Sequence, residues 1–427
     1  MTQAIEKKRQ RPALFATLCC IAICLFLSLA AAIALANRPA PQEKSNTAPA
    51  QPSAPPPQHQ AQVPFHFAFG GEVAQIPAEF VDNLVFLPLS INDSQPMLFE
   101  LDTTAASTSI DPERLASLGA SPFPTPTLNL NGVDFRLSAL PAMAKPDFAS
   151  QVGRTYQGTL GADFLCCVVV EIDYKRETVQ LYDPSVYKYT GKTKGIPFTV
   201  HGGVPMVRAK FSLAANKSFE GDFAIDTALN ATVVFTEHYA QSHQLFKSKI
   251  KTIPNTDPQL NGNGGEGVVI GRMQHFELGS YYPQNLLAAF SQKDVIAADD
   301  PKFAGVIGGG MLRRFTVVFD YPHQVIYLEG NFHIREDEQE DKGGLTIIAK
   351  GPTLRTFEVV AVQPGTPGHS AGIQKGDILE GIDEDAAADM TLDSIRRLFR
   401  LPDKQYKILL DRNGQEKQVT LKTRPLL

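Results

Sequence analysis

"LGADFLCCVVVEIDYKRETVQLYD", Leu160–Asp183, and "IGGGMLRRFTVVFDYPHQVIYLEG", Ile307–Gly330, are two versions of one unit. Gly161 matches Gly308, Leu165 matches Leu312, Asp173-Tyr174 matches Asp320-Tyr321 and Leu181 matches Leu328, each pair 147 positions apart. Gly132 and Gly279 keep the same offset upstream, so the register extends well beyond a single element. Both copies consist of β-branched and aromatic runs broken by turn signals such as Asn131-Gly132, a pattern of strands and hairpins rather than helices. Repetition on this scale predicts two homologous β lobes.

Further upstream each lobe carries an aspartate at the end of an apolar run. "FELDTTAAST", Phe99–Thr108, holds Asp102-Thr103, and "FAIDTALNATVVF", Phe223–Phe235, holds Asp226-Thr227; no other Asp-Thr dipeptide occurs in the chain. Singly, such a pair is most often a turn residue satisfying backbone donors. Recurrence at matched places in two repeats points instead to two carboxylates brought together. The two aspartates stand 124 positions apart, so the second lobe holds about 23 additional residues before Gly279, and the Gly/Asn-rich "NGNGGEGVVIG", Asn261–Gly271, is the place expected for them. A hairpin there could cover a site. Asp173 and Asp320 also recur, but Asp-Tyr followed by polar residues and a new strand reads as a hairpin turn.

With 427 residues the chain exceeds one ordinary domain, and 43% hydrophobic with 20% charged residues is usual for globular protein. A net charge of −5, with no basic cluster beyond the first dozen residues, excludes a nucleic-acid footprint. The nine histidines, among them His66, His201, His238, His243 and His275, show no metal-ligand spacing, so no metal or cofactor is expected. Cys166-Cys167 are expected to be free core thiols, because adjacent residues on a strand face opposite ways.

Residues 13–36 are uncharged and follow Lys7, Lys8, Arg9 and Arg11. At helical rise they reach roughly 36 Å, enough for a hydrocarbon core of about 30 Å. The expectation is a cytoplasmic N-terminus at 1–12, a single-pass anchor at 13–36 and an extracytoplasmic, periplasmic body. The alternative is a cleaved signal ending at Ala34-Leu35-Ala36, which would leave a secreted protein. Residues 37–64, rich in Pro, Gln, Ala and Ser, form a linker.

Apolar-apolar-Asp-Thr, an apolar-Gly element and then "IDY" or "FDY", twice in one chain, resembles the bacterial retropepsin-like aspartic proteases over roughly Phe80–Asn331. The resemblance implies a mainly β fold of two pepsin/retropepsin-like lobes forming a cleft, at 65–190 and 191–334. It further implies a catalytic dyad of Asp102 and Asp226, interlocking Thr103 and Thr227, and Gly161 and Gly308 packed beneath the aspartate loops. Where the family has glycine after Asp-Thr, this chain has Thr104 and Ala228. If that turn needs positive φ, β-branched Thr104 strains it, and the rival reading is a degenerate peptide-binding scaffold on the same fold.

"REDEQEDKGG", Arg335–Gly344, reads as a charged hinge, and 345–427 resembles a PDZ domain, a small α+β barrel with two helices, through "PGTP" and Gly376-Asp377. That likeness implies a groove in which an extended peptide or C-terminal segment adds beside the strand Glu358–Val362. Its lining would include Lys350, Gly351, Leu354, Phe357, Val359, Leu392 and Ile395. Together these readings describe an exported, membrane-anchored aspartic endopeptidase acting on polypeptides, with PDZ-mediated recruitment.

Overall fold

The computed structural model describes residues 65–67, 73–119, 125–144, 148–214, 217–261, 267–292 and 302–427. The expected anchor at 13–36, its flank at 1–12 and the linker at 37–64 lie outside the described residues, as do 262–266 of the glycine-rich stretch. Among the described residues no helix is long and apolar enough to cross a membrane.

The chain is mainly β, and the 147-residue repeat becomes two lobes with the same strand logic. In lobe 1 the strand Met97–Leu101 runs parallel to the short strand Gly158–Leu160, with Leu101 opposite Leu160. The chain then crosses the end of that short strand, and Ser109–Ile110 pairs antiparallel along its other side. Lobe 2 repeats this, with Lys217–Ile225 parallel to Phe303–Ile307 and Val233–Phe235 antiparallel on the far side. Each Asp-Thr sits in the crossing, where the backbone leaves one edge for the other and cannot itself be part of the ladder.

Beneath the crossings runs a six-stranded sheet to which both lobes contribute. Its order is Ile196–Pro197, Val325–Gly330, Phe315–Asp320, Val169–Asp173, Thr178–Tyr182, Val73–Ile76, and the lobes meet where Val169 faces Asp320 and Asp173 faces Thr316. Alternation along these strands feeds one continuous apolar core that includes Phe99, Phe164, Phe223, Phe235, Phe315 and Phe319. Asp173 is a turn residue, accepting from Lys175 N and Arg176 N at 3.0 Å each, and Asp320 accepts from His323 N at 3.2 Å.

Two expectations about side-chain placement need correction. Cys166 is exposed and Cys167 half-buried, not core thiols, because they fall in the turn that ends the helix Ala162–Leu165 rather than on a strand. The charged segment 335–344, expected as a hinge, is strapped along lobe 2. Glu338 accepts from Leu287 N (3.0 Å) and from the Thr232 hydroxyl, Arg272 donates to Glu338 O (2.9 Å) and pairs with Glu340, and both Glu340 and Lys342 are buried. The carboxylates of Glu338 and Glu340 are engaged in hydrogen bonds and ion pairs.

Residues 345–422 form a separate antiparallel sheet with its own core, in the order Leu345–Lys350, Thr356–Val362, Ile378–Ile382, Gln405–Arg412, Gln415–Lys422. A short helix, Pro367–Ser370, and a longer one, Leu392–Arg400, complete it; the latter starts with a reciprocal capping box between Thr391 and Ser394. Gly376 (φ +90°) makes the turn that buries Asp377, whose carboxylate receives Arg412 Nε at 2.6 Å.

Candidate active site

The crossings bring the two Asp-Thr pairs into direct contact. Thr103 N donates to Thr227 Oγ1 and Thr227 N to Thr103 Oγ1, each at 3.1 Å. The hydroxyls in turn donate across the lobe boundary, Thr103 Oγ1 to Ile225 O at 2.6 Å and Thr227 Oγ1 to Leu101 O at 2.5 Å. Both threonines are fully buried. A β-branched residue with a hydroxyl suits this position: its χ1 is stiff, and the one oxygen both accepts and donates. Two residues thus satisfy four buried backbone groups that a crossing loop would otherwise orphan.

Gly161 and Gly308 explain how the loops come so low. A Cβ on Gly161 would lie 2.7 Å from Ser107 O and 2.8 Å from Ala105 O; one on Gly308 would lie 2.3 Å from Ala231 O and 2.6 Å from Leu229 O. Their φ values, −109° and −106°, are open to any residue, so close approach alone requires glycine here.

The two carboxylates have different surroundings. Asp102 Oδ1 accepts three hydrogen bonds, from Thr104 N (2.8 Å), Thr104 Oγ1 (2.7 Å) and Ala105 N (3.1 Å). Asp226 Oδ1 receives Ala228 N at 2.8 Å. Burial, then the charge of Asp102, push the Asp226 carboxyl well above the usual carboxylate range; the Ala228 amide opposes this and Glu100 adds to it. Thr104 carries no positive φ. The strain expected of a β-branched residue in that turn is absent, and its hydroxyl is instead a donor to Asp102.

Some nearby groups were not singled out by sequence. Glu100 is buried next to Tyr156 and Asp226. Tyr174 and Tyr321, the second residues of the repeated Asp-Tyr, are buried with hydroxyls that have no hydrogen-bond partner among the described residues. Their phenols are pushed up by burial first and then by a charge from the opposite lobe, Asp226 for Tyr174 and Asp102 for Tyr321. The recurrence of tyrosine in both copies was the available signal.

Each lobe also sends a hairpin tip to its neighbour's loop. From lobe 2, Gly203 packs against Ala106 and Ala162. From lobe 1, Asn83 Nδ2 donates to Asn230 O (3.2 Å), and Asp82 Oδ2 accepts from Asn230 Nδ2 (3.0 Å). Asp82 is buried, which acts to raise its carboxyl, but Arg400, Arg396 and Asn230 outweigh burial and hold it below the ordinary range. A cavity of about 570 Å³ opens at this junction, and Asp82, Asn230, Asp257, Arg396 and Arg400 line it.

In the C-terminal module the expected groove strand is not free. Thr356–Val362 is flanked by Leu345–Lys350 on one side and by Ile378–Ile382 on the other, with Phe357 opposite Leu379 and Glu358 opposite Ile378. Phe357, Val359, Leu392 and Ile395 are buried in the module core, Lys350 pairs with Glu358, and Gly351 and Leu354 shape the turn between the strands at φ +78° and +54°. The strand with an open edge is Leu345–Lys350, one strand earlier than expected.

No family model matches the sequence, and no curated protein matches it. Among solved structures, an aspartic proteinase from Irpex lacteus is similar at a TM-score of 0.42 and 12% identity, over 62% of this chain and 99% of that one. A photosystem II D1 C-terminal processing protease is similar at a TM-score of 0.19 and 23% identity, over 20% of this chain and 23% of that one. At these scores the chemistry has to be read from the residues themselves.

Proposed function

We propose that the chain is an aspartic endopeptidase in which Asp102 and Asp226 act as one dyad, activating water against a peptide bond. The observation that carries this reading is the reciprocal Thr103–Thr227 interlock, which holds two aspartate loops of different lobes against each other. Burial and the neighbouring Asp102 charge push the Asp226 carboxyl toward its protonated form. The surroundings support a division of roles. Asp226, pushed toward its protonated form, donates to the carbonyl oxygen of the scissile bond. Asp102 has its Oδ1 filled by three donors, which leaves Oδ2 to take a proton from the attacking water as its oxygen bonds to the carbonyl carbon. As the resulting diol collapses, one of its hydroxyls returns a proton to Asp226, the C–N bond breaks, and the proton gained by Asp102 leaves with the amine.

The export part of the proposal draws on sequence: the uncharged span 13–36 behind Lys7, Lys8, Arg9 and Arg11 anchors the body on the extracytoplasmic side. The C-terminal module recruits or gates polypeptide. Incubating the full chain with fluorescence-quenched extended peptides across pH 3 to 8 tests the enzyme; cutting that is lost in both Asp102→Asn and Asp226→Asn is expected. A folded wild-type chain that binds such peptides and cuts none at any pH overturns it in favour of a binding scaffold.

A further inference from the structure

The strand Leu345–Lys350 ends its sheet, so its outer backbone edge is the place where another strand could add. An edge strand in a free module would keep that side wet. Here Leu345 to Ala349 are all buried. The cover comes chiefly from lobe 1: the helix Phe148–Val152 packs along this strand, joined by the short helix Pro258–Asn261 of lobe 2, and Gly153 (φ +78°) passes so close that a Cβ there would stand 2.8 Å from Leu392 Cβ, at the start of the module helix.

One guanidinium clasps the arrangement. Arg396, on the helix Leu392–Arg400, donates from Nη2 to Ile347 O of the edge strand (3.1 Å) and to Gln151 O of the covering helix (2.7 Å). Its Nη1 pairs with Asp82 Oδ2 at 3.0 Å. The same Asp82 oxygen receives Asn230 Nδ2, and Asn230 lies four residues beyond Asp226 in the same loop. At the mouth of the edge strand the donors are also taken, since Asp341 Oδ1 accepts from the amides of Gly343 (3.0 Å) and Leu345 (3.3 Å).

We infer that the module's strand-addition groove is closed from within by Phe148–Gly153 of lobe 1, and that Arg396 and Asp82 wire its opening to the Asp226 loop. The occupant that would open it is an extended internal segment of another polypeptide: strand addition uses its backbone, and the Asp341 carboxylate already fills the amides that a chain terminus would seek. Such a segment must displace Phe148–Gly153 and draw Arg396 from Ile347 and Gln151. That leaves the longer Arg400 pair, 3.5 Å, as the cation on Asp82, and loosens Asp82 and with it Asn230. Groove occupancy and an ordered Asp226 loop are therefore antagonists, and the coupling is reciprocal. Only its consequence for cleavage rests on the endopeptidase reading.

Hydrogen exchange on the full-length chain reads the wiring without needing activity. Arg396→Ala is expected to speed exchange by at least about tenfold in 345–350, 148–153 and 226–232 together. Asp82→Asn should do so in 226–232, and Arg397→Ala, whose side chain is exposed and pairs with Asp393 of its own helix, should leave all three segments as in the wild type. If Arg396→Ala does not fold, Arg396→Lys, which keeps the charge and loses the fork, should give a smaller rise in the same three segments. Unchanged exchange in 345–350 in a folded Arg396 variant overturns the closed groove. A rise there with 226–232 unmoved overturns the wiring. If these shifts occur while no form cuts any peptide, the endopeptidase reading fails and the latch stands.

Discussion

The loops of Asp102 and Asp226 descend from one repeat unit, yet they differ where it matters for chemistry. Their backbones are matched: each aspartate amide bonds the last carbonyl of its lobe's short central strand, Asp102 N to Leu160 O (3.0 Å) and Asp226 N to Ile307 O (2.9 Å), and each threonine mirrors the other. The carboxylates are unmatched. Three donors converge on one oxygen of Asp102, while Asp226 has the Ala228 amide and is pushed toward its protonated form. Symmetry in the backbone brings the two loops together; in the proposed mechanism, asymmetry in two side chains, Thr104 and Ala228, divides the labour between acid and base.

The harshest way to break the comparison is to remove either carboxyl. Asp102→Asn and Asp226→Asn should each lower kcat on the order of 10³-fold or more, as losing a positioned acid or base does. Circular dichroism should show both variants folded. A variant that keeps a tenth of its activity would take that residue out of the dyad.

Breaking the shared backbone comes next. Thr103→Val and Thr227→Val keep the shape and delete the hydroxyl, so each leaves a buried amide and a buried carbonyl without partners. Roughly 1–3 kcal/mol of stability should be lost for each group stranded, and, since the interlock is reciprocal, the two variants should be about equal in urea unfolding. A clearly unequal pair would mean that one lobe supplies most of the interlock.

Much of this was legible beforehand because it depends on residue type at fixed spacing. The 147-residue offset of Gly161 and Gly308 revealed two lobes, and only glycine tolerates a carbonyl oxygen less than 3 Å from where Cβ would stand. What escaped reading depends on long-range placement. Asp82 and Arg396 are 314 positions apart, and nothing local marks Asp82 as more than a turn residue. The open strand was misplaced by one because apolar residues fill both Leu345–Lys350 and Thr356–Val362, and composition cannot say which has a neighbour on each side. Thr104 was misjudged for a different reason: β-branching argued strain, but the turn needs no positive φ and the hydroxyl found an acceptor.

Thr104 sharpens the comparison directly. Thr104→Val removes the hydroxyl donor from Asp102 and keeps the bulk; losing a hydrogen bond to a charged group, roughly 1.5 kcal/mol, should cost about tenfold in kcat. Thr104→Gly deletes the same donor and should fall as far, the opposite of the gain expected if threonine strained the turn. Ala228→Gly changes no donor and should leave kcat within about twofold, because it keeps the amide that bonds Asp226.

The smallest effect is on stability and follows from the proton on Asp226. In the folded chain, burial and the Asp102 charge hold this carboxyl well above its ordinary value, near 3.9 in an unfolded chain. Below that value both states carry the proton, and the raised group costs nothing. As pH rises past it the unfolded chain releases the proton while the folded chain keeps it, so folding becomes less favourable, until the folded value is passed and the loss levels off. The side-chain amide introduced by Asp226→Asn has no such proton to release. The variant's stability relative to wild type should therefore be level below about pH 4 and climb steadily above it. Asp102→Asn removes the second cause of the shift, so its own curve should climb over a narrower interval. Urea midpoints measured at half-unit steps from pH 3 to 8 give both curves. A difference for Asp226→Asn that stays flat across this range would mean that Asp226 ionises like a surface carboxylate, and the division between an acid and a base loop would have to be abandoned.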